Sequence, residues 1–113
     1  MLFITQRFQA WNISTSQSFA FDPIQDRTGS FYTCKAMFSA DACEIDIARF
    51  SHVKKAEKFC ELMLAETLER INLHEAELNE RGSFAANLPL KDLIATVLRK
   101  EKLGEFCETI LCD

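Results

Sequence analysis

From Ser51 to Gly82 the chain runs about thirty residues without a glycine or a proline, and this stretch constrains the fold more than any other. It opens on a hydroxyl suited to an N-cap and closes on a glycine suited to the C′ position, so it reads as one long helix over 51–81. At the helical repeat, Val53, Ala56, Cys60, Met63, Leu64, Thr67, Leu68, Ile71, His74 and Leu78 fall within an arc of roughly 140°, the width of a face lying on a sheet. Lys54, Lys58, Glu61, Glu66, Glu69, Asn72 and Glu80 stand opposite. Glu66 with Arg70 and Glu77 with Arg81 are i,i+4 pairs in the favourable order.

Phe59, Leu62 and Leu73 interrupt the charged side at neighbouring angles. An aligned apolar stripe needs a cover. Either the C-terminal segment folds back on it, or it is a surface for a second copy or another protein. Between Ala56 and Glu80 seven acids stand against two bases, so Glu66, Glu69 and Glu77 would give such a surface an acidic surround.

The first fifty residues follow a different period. Phe31 to Phe38 alternates, with Tyr32, Cys34, Ala36 and Phe38 on one side, and Cys43 to Phe50 alternates after it. If Ser39 to Ala42 is a four-residue loop, Phe38 faces Cys43 and paired positions sum to 81. Ala36 then meets Ile45, Cys34 meets Ile47, and Lys35 lies opposite Asp46 as a cross-strand charge pair. In that register Cys34 and Cys43 stand roughly 13 Å apart, beyond disulfide reach, and read as core thiols. Upstream, FQAWNIST and SFAFDP read as two further strands, with Trp11, Ile13, Phe19 and Phe21 facing inward. Neither alternation survives from Leu2 to Trp11, which calls for a bulge or break near Gln6 to Phe8. Asp22 to Gly29, with Pro23 and a closing glycine, reads as a loop.

Pro89 suits a first helical turn, and Leu90, Leu93, Ile94, Val97 and Leu98 follow helical spacing. Leu103, Phe106, Cys107 and Ile110 would lie about 180° around the same helix, so the chain breaks between Arg99 and Gly104 or carries two apolar faces. The sequence thus predicts one α+β domain over 1–113: a four-stranded antiparallel meander (1–50), one long helix packed on it (51–81), and a C-terminal helical pair (89–112). Two apolar faces also predict a homodimer.

The chemistry-bearing residues are sparse. Gly29, Gly82 and Gly104 are isolated, which excludes a glycine-rich phosphate loop. His52 and His74 would lie about 33 Å apart on one helix, and Cys60 about 21 Å from His74, so no Cys/His dyad forms along it. No C-x-x-C occurs, and Cys107-x4-Cys112 has no companion pair or nearby histidine; no metal site and no cofactor are expected. An enzymatic reading would require an exposed, low-pKa thiolate at Cys34, Cys43 or Cys60. The odd count of five cysteines fits reduced thiols. No stretch approaches the length of a membrane span, and MLFITQRFQAWNIST lacks the basic start of a secretory signal, so a cytoplasmic protein is expected.

The formal net charge of -4 is the wrong sign for a typical nucleic-acid binder. Arg99, Lys100 and Lys102 form a small basic cluster that could grip phosphate, which makes a nucleic-acid-binding regulator the alternative. The main expectation is a non-enzymatic domain that binds a protein partner stoichiometrically through Phe59, Leu62, Glu66, Glu69, Leu73 and Glu77. Small domains of this kind are common among phage and mobile-element inhibitors of host machinery, anti-CRISPR proteins included, where the compartment would be the host cytoplasm. That last expectation comes from the class of small domains, not from a motif in this chain.

Overall fold

The period-two stretches become strands, and the sheet extends beyond them at both ends. The computed structural model describes residues 2–12, 17–38, 43–73 and 90–111. Strands β1 (Leu2–Gln6), β2 (Gln9–Asn12), β3 (Gln17–Gln25), β4 (Tyr32–Phe38) and β5 (Cys43–Phe50) follow in chain order, each antiparallel to the last. Strand β6 (Cys107–Ile110) joins β5 from the far end of the chain. The expected four-stranded meander is thus a six-stranded antiparallel sheet among the described residues. The broken alternation near the N-terminus is a turn at Arg7 and Phe8 between two strands, with a register shift between Ile4 and Gln6.

Pro23, expected in a loop, lies inside β3 opposite Cys34. The Phe21 N–H donates to Phe8 O at 3.0 Å, and a residue two positions on points its nitrogen the same way. Strand β2 pairs only as far as Ala20, so the N–H that proline lacks falls where no neighbour needs it. The loop begins instead at Asp26, whose carboxylate accepts from Thr28 Oγ1 at 2.9 Å and Ser30 N at 3.2 Å. Gly29 supplies the left-handed φ of 75° that this turn requires.

The predicted β4–β5 register holds from Phe38/Cys43 to Lys35/Asp46 and then slips by one, so Cys34 faces Ala48 rather than Ile47. A bulge accounts for the slip. Ile47 and Ala48, consecutive in sequence, are both fully buried, and the change of phase turns Phe50 into the core as well.

Helix α1 (Val53–Leu73) follows directly. Its first turn closes with Ala56 N–H on His52 O, whereas the Ser51 hydroxyl donates to Glu108 of β6 at 3.0 Å; Ser51 was the expected cap. The helix C-terminus expected at Gly82 lies outside the described residues. Ala56, Cys60, Met63, Leu64, Thr67 and Leu68 are buried as the periodicity requires, but Val53 is exposed. Ile71, His74 and Leu78 lie outside the described side chains.

Helix α2 (Leu90–Arg99) buries Leu90, Leu93, Ile94 and Val97. The expected second C-terminal helix does not form. A short 3-10 helix (Lys100–Glu105) holds Glu101 and Lys102 at φ 51° and 57°, which ends regular helix, and Leu103 tucks into the core. The chain then leaves as β6, because the free edge of β5 offers backbone partners that an isolated final turn could not. This resolves the two apolar faces read from the sequence: they belong to different elements.

Candidate interaction surface

The sheet has two faces of opposite character. Phe19, Phe21, Cys34, Ala36, Ile47, Ala48 and Phe50 form the inner face and share one buried cluster with Ala56, Phe59, Met63, Leu64 and the apolar side of α2. Phe59, expected in the exposed stripe, is fully buried with its ring 5.1 Å from that of Phe50. Its ring packs on the sheet, while α2 and the 3-10 helix after it lie along α1 at Lys58, Glu66 and Arg70, so the buried arc is wider than one sheet contact would need.

Ion pairs rim that closure. Arg70 pairs with Asp92 at 2.9 Å, Lys58 with Glu101 at 3.7 Å, and Glu66 with Lys100. Glu66, expected to face a partner, is only 12% exposed, and Leu62 is half-buried against the core. Of the proposed stripe, Glu69 is exposed; the Leu73 side chain and Glu77 lie outside the described residues. The basic cluster is likewise divided. Lys100 is paired to Glu66, while Arg99 and Lys102 are exposed.

Of the three thiols that the enzymatic reading named, two lie among the described side chains. Cys34 and Cys60 are fully buried, and burial pushes the Cys60 thiol well above its ordinary value, the hydrogen bond with Cys34 adding to it. That is the opposite of an activated thiolate. Cys43 lies outside the described side chains. Among the described residues no group of three or more His, Cys, Asp and Glu could hold a metal ion.

The outer face is where polar and apolar side chains stand together without a helix across them among the described residues. By register, Trp11 opposes Ser18, Ala20 opposes Met37, Asp22 opposes Lys35, and Thr33 opposes both Ile24 and Arg49. Lys35 is the electrostatic centre. It reaches Glu44 at 2.9 Å and Asp46 at 3.3 Å, two carboxylates more than half exposed, and the hydrogen bonds to them raise the Lys35 ammonium above its usual value. Partial burial instead lifts the Asp22 carboxyl. Arg49 lies over the Phe31 ring at 5.4 Å.

Trp11 belongs to this outer face, not the core as expected, because Ala10 is the residue that pairs with Phe19 and is fully buried. The β2–β3 pairs sum to 29, which sets Trp11 against Ser18 on the face opposite Phe19. Phe19 and Phe21 are inward as expected; Ile13 lies outside the described residues.

No protein-family model, curated protein or solved structure matches this chain. No helix of the described residues is long and apolar enough to cross a membrane.

Proposed function

We propose that this protein is a non-enzymatic interaction domain that binds a protein partner stoichiometrically, and that the outer face of the sheet is its docking surface. The observation that carries this reading is the asymmetry of the sheet. One face is closed by α1 and α2 of the same chain, while the other presents Trp11, Met37 and Ile24 beside the Lys35, Glu44, Asp46 and Arg49 group. Aromatic and methionine side chains with arginine, rimmed by mixed charge, are the composition of protein interfaces. A rigid sheet also presents them with little ordering cost.

A photo-crosslinking residue at Met37, with the same residue at Lys91 on the exposed side of α2 as control, tests this in cells of the source organism. One dominant protein adduct from position 37 alone is the expected result. Equal labelling from both positions, or none from either, would remove the outer face as the docking surface. Solution mass across a concentration series then separates a foreign partner from a second copy: a dimer that Met37→Glu dissociates without unfolding identifies the adduct as the protein itself.

A further inference from the structure

The deepest part of the molecule holds two nucleophiles that the interaction surface does not use. Cys34 sits on the inner face of β4, opposite Ala48, and Cys60 sits on the side of α1 packed over the sheet; both are fully buried. The Cys34 thiol donates to the main-chain carbonyl of Ala56 at 3.6 Å. In helical geometry that same carbonyl is the acceptor for the Cys60 N–H, so the Cys34 sulfur lies against the turn of α1 that carries Cys60. Cys60 is fully buried one helical turn further along α1.

Small residues make this approach possible. Ala36 and Ala48 on the sheet and Ala56 on the helix are all fully buried around the pair. Without larger side chains between the layers, α1 comes close enough for a strand side chain to touch helix main chain. A disulfide needs Cα atoms within roughly 4.4–6.8 Å and side chains directed at each other, and the Cys34 sulfur reaches across the layers to the helix main chain one turn before Cys60. Cys43 is at the far end of the β4–β5 ladder. Cys107, opposite Phe50 on β6, packs against the same core and is the competing thiol that the test must separate.

We propose that Cys34 and Cys60 are a modification site: a thiol pair that a peroxide oxidises to a disulfide, fastening α1 to the centre of the sheet. One thiolate attacks a peroxide oxygen, the O–O bond breaks, and a sulfenic acid and water result. The second sulfur then displaces the sulfenic oxygen as water, and the S–S bond forms. Two thiols and one hydrogen peroxide become one disulfide and two waters; the sulfurs lose two electrons and the peroxide oxygens gain them. Burial keeps the thiolate fraction small, so the reaction is slow, and the same burial shields the bond once made. The cross-link closes a loop of about 26 residues, long enough to restrict the unfolded chain substantially.

The test uses the full chain carrying Cys43→Ser, Cys107→Ser and Cys112→Ser, incubated folded with hydrogen peroxide, then denatured, alkylated and weighed. The expected product has lost two hydrogens, takes up no alkylating agent, and yields a peptide joining Cys34 to Cys60. Its melting temperature rises by roughly 10 °C and returns on reduction. The proposal is overturned if both thiols stay alkylatable, or if oxygen adducts accumulate without the joined peptide, while the same chain cross-links in denaturant. Should the triple variant not fold, peptide mapping of the oxidised wild-type chain decides instead: Cys34–Cys60 as the main linkage supports the site, and any other dominant pairing excludes it.

Discussion

The two faces of the sheet are built from alternate residues of the same strands, yet they carry different physics. The inner face buries aromatic and small apolar side chains under α1 and α2, where every atom displaced from packing costs free energy. The outer face carries Lys35 between two exposed carboxylates, where water screens each pair and supports each charge. Stability therefore resides on one face, leaving the composition of the other free to serve recognition.

Substitutions can sharpen or break that division. The largest effect is expected at Phe59: Phe59→Ala removes the ring packed on Phe50 and should cost about 3–5 kcal/mol in a denaturant titration. A loss below about 1 kcal/mol would mean that the Phe59 ring is not packed in the core. Thr67 offers the opposite sign, because its hydroxyl is fully buried without a hydrogen-bond partner among the described residues. Thr67→Val keeps the shape, removes the stranded polar atom, and should raise stability by about 1 kcal/mol; a destabilised variant would reveal a partner for the hydroxyl.

On the outer face, Lys35→Ala should change stability by no more than about 0.5 kcal/mol, though it removes both ion pairs. A loss as large as that at Phe59 would break the comparison outright. The smallest effect belongs to Asp22, whose carboxyl is raised by desolvation. With the folded value above the unfolded one, its contribution is fully present below the unfolded pKa and is lost as pH rises through the folded pKa. Asp22→Asn should therefore be slightly more stable than wild type at neutral pH, and the advantage should vanish in acid. An advantage that grows on acidification would reverse the assignment.

Much of this division was legible in residue order. The alternation of Phe31 to Phe38 put Cys34 and Ala36 inside and Lys35 outside, and the paired-sum register located the Lys35 to Asp46 contact. Register reasoning failed where a bulge inserted Ile47, because a single extra residue reverses every later side chain. The candidate surface was misplaced for a related reason. Helical angle alone marked Phe59, Leu62 and Glu66 as exposed, whereas Phe59 packs on Phe50 of β5, Leu62 is half-buried against the core and Glu66 pairs with Lys100.

By itself the sequence determined the local periods: strands where apolar residues alternate, a long helix where neither glycine nor proline intervenes, and an amphipathic helix from Leu90. These follow from geometry repeated along the chain, which nearest neighbours specify. Tertiary structure alone decided that Cys107 to Ile110 becomes a strand, that α2 packs on α1, and that the Cys34 sulfur meets the main chain of α1 at Ala56. The free edge of β5 and the gap above small residues exist only after distant segments have met, so no local pattern could encode them.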